Sequence, residues 1–193
     1  VSAQGMLDDL IKDHCDPDCT KPNSFGFTVA ADGIPLVADQ RLFAAYTMVS
    51  NLAYRNEEWY NSYMSDSIGI GRGYSDYDEA RVGLDLIAIP GVPLRPYVAY
   101  RRQGEGDYRL PHPPVSEYTS TKQFLQGVVQ HTTRYGVSGV GSIARFVQIT
   151  GDLGYNHVTN AQHVTGAARS SFEGRVTVTL ESPWRFAQTF NPE

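Results

Sequence analysis

Between residues 172 and 180 apolar and polar side chains alternate without a break: Phe172, Gly174, Val176, Val178 and Leu180 against Glu173, Arg175, Thr177 and Thr179. Glu181 extends the polar set before Pro183 stops it. Side chains of a strand point to opposite faces in turn, so a period of two specifies a strand with one apolar and one charged face. The same period recurs upstream and predicts strands over 42–54, 80–89, 94–101, 124–140 and 147–156. Residues 25–37 hold two short apolar runs around Ala31-Asp32-Gly33, which predicts a small hairpin. Residues 59–72 fit a strand or a loop.

Alternation alone also suits a soluble β-sandwich, whose strands bury one face and solvate the other. Three features favour a membrane barrel. The runs reach about ten residues, the length a tilted strand needs to cross a bilayer, where soluble strands average about five or six. Tight turns at 90–93 and 142–145 alternate with long polar connections at 103–122 and 157–169, as in barrels with short turns on one side and long loops on the other. Aromatic residues gather toward strand ends (Tyr97, Tyr100, Tyr108, Tyr135, Phe146, Tyr155, Phe172, Trp184), where an interfacial girdle needs them. The fold expected is therefore all-β, an antiparallel up-and-down transmembrane barrel with about eight strands in this chain. Its polar face would carry Arg81, Asp85, Arg95 and Arg101, then Arg134, Asp152, Glu173, Arg175 and Glu181, lining a wet lumen and pairing across strands.

Composition limits the alternatives. A formal net charge of −5 gives no basic excess to neutralise a phosphate backbone, which argues against nucleic acid as a partner. No run of eighteen apolar residues occurs, so no transmembrane helix is expected, while barrel strands need an apolar residue only at every second position. Residues 1–23 are acidic and irregular, with a short helical turn expected over 6–11; residues 24–186 hold the strands, and 187–193 form a tail. The chain opens on Val1 without a basic or apolar leader, which reads as a processed or trimmed sequence, and the irregular start favours a piece of a larger barrel. Cys15 and Cys19, in His-Cys-Asp-Pro-Asp-Cys-Thr, read first as a small disulfide loop of an oxidising compartment. A metal held with His14 and nearby Asp residues, and two free thiols, are the alternatives.

The run Ile-Pro-Gly-Val-Pro-Leu-Arg-Pro-Tyr-Val-Ala-Tyr-Arg-Arg at 89–102, with the alternating segment 146–180, resembles bacterial outer-membrane barrels. More loosely the chain is similar to the capsule-assembly barrel family. The likeness covers roughly residues 41–184 and rests on strand style. It implies an outer-membrane location, contact with membrane lipid, and a non-enzymatic part in holding or assembling surface polysaccharide. Such barrels commonly end on an aromatic residue, whereas here Phe186 and Phe190 are followed by Asn191-Pro192-Glu193. A porin-like passive channel and a secreted carbohydrate-binding β-domain are the rival readings.

Candidate chemistry is sparse. Tyr97, Arg101, Tyr108 and Arg109 would gather at one mouth, where aromatic faces and guanidinium forks suit acidic sugars. A hydrolase of this architecture would set a His and a Ser two apart on one strand face. The chain offers His131 with Thr133, His157 with Thr159 and His163 with Thr165, all with threonine in place of the nucleophile. Asp76, Asp78 and Glu79 could share a cation, yet their spacing does not match an EF-hand, and a solvated acidic loop is the simpler reading. Gly69-Ile70-Gly71-Arg72-Gly73 lacks the Lys-Ser/Thr of a phosphate loop. No catalytic residue, metal or cofactor is expected.

Overall fold

The period-two pattern forms a sheet. A computed structural model describes residues 1–9, 23–36, 40–55, 64–65, 68–69, 74–89, 92–144 and 147–180. The strands are β1 (Ser2–Asp9), β2 (Ser24–Pro35), β3 (Arg41–Val49), β4 (Met64–Ser65), β5 (Ile68–Gly69), β6 (Tyr77–Ile89), β7 (Val92–Gln103), β8 (Gln130–Ala144), β9 (Val147–Thr159) and β10 (Ala168–Leu180). Eight of them form one antiparallel up-and-down sheet in the order β1-β2-β3-β6-β7-β8-β9-β10, while β4 and β5 pair as a separate short hairpin. Among the described residues β1 and β10 are open edges. The helical pieces among them are two three-residue 3-10 turns, Val115–Glu117 and Ala161–His163.

Because every neighbour in the large sheet is antiparallel, connections fall at its two ends in turn. Residues 10–23, 50–76, 104–129 and 160–167 join strands at one end, the loop end. Residues 36–40, 90–91 and 145–146 join them at the other, the turn end. Long and short connections are thus fully segregated.

The register sorts side chains onto two faces. Arg81 pairs with Ala99, Ala99 with Arg134 and Arg134 with Asn156, so these share the polar face. Val82 pairs with Val98, Val98 with Tyr135, Tyr135 with Tyr155 and Tyr155 with Phe172 on the opposite, apolar face. That face is the uncovered one: Tyr135 is 56% exposed, Phe172 68% and Val176 73%. On the polar face Tyr97 and Ala99 are buried and pack with Phe43. Large side chains there lie against glycines of the next strand. Tyr97 covers Gly136, Phe43 covers Gly83 and the Arg134 guanidinium covers Gly154, each where a Cβ would collide. Arg95 on β7 also reaches Asp32 on β2, three strand intervals away, with an Nη2–Oδ1 distance of 2.9 Å. Three intervals on a flat sheet span roughly 14 Å, so the contact fits a sheet curled toward its polar face.

Several expectations are corrected. Residues 2–9 form an edge strand and neither an irregular segment nor a helical turn. Ala31-Asp32-Gly33 is a bulge inside the continuous β2, where the register shifts between Ala31 and Ile34 and Gly33 takes φ +70°. The strand expected over 42–54 stops at Val49 because Ser50 turns the chain, its hydroxyl accepting the Phe25 N–H (2.9 Å), and Tyr54 takes φ 71°. The strand expected from 124 begins at Gln130, since Leu125 and Gly127 both have positive φ. Strands β6, β9 and β10 extend further toward the loop end than the alternation indicated. Cys15, Cys19, Glu181 and the tail lie outside the described residues.

Candidate functional site

The polar face is held by a central network with further ion pairs on either side of it. Tyr97 O–H donates to Asp152 Oδ2 (2.7 Å) and accepts from Arg134 Nε (2.8 Å). Arg134 also donates to Asp152 Oδ1 (2.5 Å) and Asn156 Oδ1 (3.0 Å), and Glu173 stands 3.8 Å away. Arg81 lies over the Tyr97 ring, its Cζ 3.6 Å from the centroid, with Asp152 at 4.0 Å. Toward the turn end Arg95 binds both Asp85 and Asp32 and stands 4.6 Å from the Phe43 centroid. Toward the loop end Arg101 donates to Glu79 (2.9 Å). Exposed pairs of this kind each contribute about 0.2–1 kcal/mol, so the network fixes geometry more than it adds stability. Above it opens a cavity of about 620 Å³ that includes Arg81, Tyr97, Arg101, Arg134 and Arg175 in its lining.

The loop end is built around one buried carboxylate. Asp76 is fully buried and accepts backbone N–H groups from Gly106 (2.9 Å), Leu125 (2.5 Å) and Gln126 (2.9 Å). It thereby ties the start of β6 to both ends of the 104–129 connection. Burial pushes this carboxyl above its ordinary range, against the pull of the three N–H groups and of Arg55. Gly104 and Gly106 sit where any Cβ would strike the Asp76 carboxylate, which explains the glycines at both positions. Val49, Ala53, Tyr54 and Tyr77 pack beneath it, with Tyr108 against them and edge-on to Tyr54 at 6.4 Å. Arg109 forks onto Asp107 (2.8–3.1 Å), and this guanidinium holds the Asp107 carboxyl below its ordinary range.

A second cleft, about 510 Å³, joins Arg101, Tyr108 and Arg109, with Tyr74 on the same wall. Tyr97 lines the inner cavity instead, and Arg101 borders both spaces. The four residues singled out for sugars therefore divide between two adjoining hollows. Of the polar-face charges, Arg81, Asp85, Arg95, Arg134, Asp152 and Glu173 enter ion pairs, while Arg175 has none among the described residues.

Tyr97 differs from the girdle position expected for it: its ring turns to the polar face and is 6% exposed. Tyr135, Tyr155 and Phe172 do form a cross-strand row on the apolar face toward the loop end, with Tyr100 two residues nearer that end. The acidic trio does not converge. Asp76 serves backbone, Asp78 takes Arg102 and Tyr46, and Glu79 takes Arg101. His131 meets Tyr100 O–H (2.7 Å) and His163 meets the Val128 carbonyl (2.7 Å). His157 meets Ser170 across β9 and β10 (3.2 Å), an exposed pair with no carboxylate partner among the described residues. Sequence reasoning missed the Asp76 staple and the Asp78–Arg102 pair. The signal for the second was available, since the two residues stand opposite each other in adjacent strands. Comparison with family models, curated proteins and solved structures returned no match.

Proposed function

We propose that this chain forms wall strands of a bacterial outer-membrane β-barrel that acts without catalysis and holds surface polysaccharide at its loop end. The observation that carries the membrane reading is the inversion of the sheet. Its uncovered face is apolar from Val29 to Leu180 apart from the Asp78–Arg102 pair at its loop end, and most of its charges lie on the face toward which it curls. A soluble sheet gains by covering such a surface, whereas bilayer lipid covers it for a barrel. The aromatic row on the loop side and the segregation of long connections to that end agree with this placement.

The polysaccharide reading rests on the cleft of Arg101, Tyr108 and Arg109. Both guanidinium groups already bind a carboxylate, so an acidic sugar would have to displace one. A hydroxyl-rich sugar can stack on the tyrosines and use the remaining N–H donors. Membrane fractionation followed by gel mobility of boiled and unboiled samples tests the barrel. A protein that stays soluble without detergent and shows no shift would refute it. Retention of surface polysaccharide in the Arg101→Ala/Arg109→Ala double variant tests the ligand, and unchanged retention rejects it. The inner cavity favours a second reading, a porin-like channel, which conductance in planar bilayers would reveal.

A further inference from the structure

The inner cavity has an uneven charge balance. Four arginines line it (Arg81, Arg101, Arg134 and Arg175) against three carboxylates (Glu79, Asp152 and Glu173). Two of the four cations are well compensated, Arg101 by Glu79 at 2.9 Å and Arg134 by Asp152 at 2.5 Å. The other two are not. Arg81 has its nearest carboxylate at 4.0 Å, and that carboxylate already accepts from Arg134 and Tyr97. Its Nε is buried with no acceptor among the described residues. Arg175 stands directly across from Asp152 in the register, yet no carboxylate lies within ion-pair distance of it among the described residues. A local excess of one positive charge thus sits inside a chain whose formal charge is −5.

The Tyr97 ring holds Arg81 from beneath at 3.6 Å, so the guanidinium is fixed before any ligand arrives. A preordered planar cation turned toward a wet hollow is well suited to a carboxylate, which it can meet with two parallel N–H bonds. The hollow, about 620 Å³, falls within the usual size of a small-molecule site.

We infer that the inner cavity binds a singly charged, carboxylate-bearing solute of monosaccharide size, with Arg81 and Arg175 as its charge partners. The excess of one charge selects a carboxylate over a phosphate monoester, which carries nearly two negative charges. This site lies deeper than the polysaccharide cleft and does not depend on how the chain meets a membrane.

Calorimetric titration of the full chain in detergent, with glucuronate, glucose and inorganic phosphate as separate probes, tests it. Glucuronate should bind at least about tenfold more tightly than either other probe. Arg81→Gln and Arg175→Gln should each weaken glucuronate about tenfold. Equal binding of glucose and glucuronate, tighter binding of phosphate, or unchanged glucuronate affinity in both variants would overturn the assignment. Arg175 is exposed on β10, so its variant keeps the test decisive if Arg81→Gln fails to fold.

Discussion

Val176→Arg is the substitution on which the membrane reading most depends. Val176 faces the apolar side of β10 and is 73% exposed, in register with Gly151. It lies four residues beyond Phe172, about 13 Å along the strand at about 3.3 Å per residue. A strand tilt of about 40° reduces that to about 10 Å of depth below the aromatic row, close to the middle of an apolar band about 25 Å tall. An arginine there should cost about 2–4 kcal/mol of folding free energy in a bilayer, or roughly 30-fold to 700-fold in the folding equilibrium. On a sheet facing water the same change at so exposed a position should stay within about 0.5 kcal/mol. Thr177→Arg is the internal control, because Thr177 points to the polar face and should tolerate the charge. Denaturant titration of chains folded into lipid vesicles, read by gel mobility, measures both. If Val176→Arg unfolds at the same denaturant concentration as Thr177→Arg, the apolar face is not a lipid face.

Gly136→Ala places a methyl group into the Tyr97 ring and should cost about 1–3 kcal/mol by thermal or denaturant unfolding, while Gly151→Ala, with nothing within 4 Å, should be nearly neutral. Tyr97→Phe removes the hydroxyl shared by Arg134 and Asp152 and should cost about 1–3 kcal/mol in the same assay. Asp76→Ala leaves three backbone N–H groups without their acceptor and should open the 104–129 connection to protease while the sheet's circular dichroism persists. The Asp76 carboxyl is raised above its ordinary 3.8, so the folded loop holds the proton more tightly than the unfolded one. Its contribution should therefore be largest below pH 3.8 and decline as pH rises through the folded value, seen as faster loop cleavage across that window.

Most of the sheet was legible because a two-residue period leaves little freedom. From Phe172 to Leu180 the pattern alone fixed which side chains face which way, and the register with β9 follows it without a break. Legibility failed where a single distant contact overrode a local pattern. Residues 124–129 are apolar enough for a strand although their alternation is weak, but Asp76, some fifty positions away in sequence, takes the N–H groups of Leu125 and Gln126. Asp32-Gly33 carries the chemistry of a turn and lies in a bulge, which sends Asp32 toward Arg95. Tyr97 has the composition of a girdle aromatic, and only its parity with Arg95 and Arg101 places it inside. Among the polar-face charges the shared face was readable from parity, while the partners were not. Arg95 reaches β2 and Arg81 reaches β9, contacts that depend on how the sheet curls.

The open edges carry a consequence for assembly. Along β10 every second residue turns its N–H and C=O away from β9, leaving about six residues' worth of backbone groups without a ladder partner among the described residues. In hydrocarbon each such group costs several kcal/mol, so the row as a whole is worth tens of kcal/mol. No set of outward-facing valines can outweigh that sum. For this sheet, entry into lipid and capture of a strand along β1 and β10 are then a single cooperative event, and a chain arrested before its seam closes would be confined to the water side of the membrane.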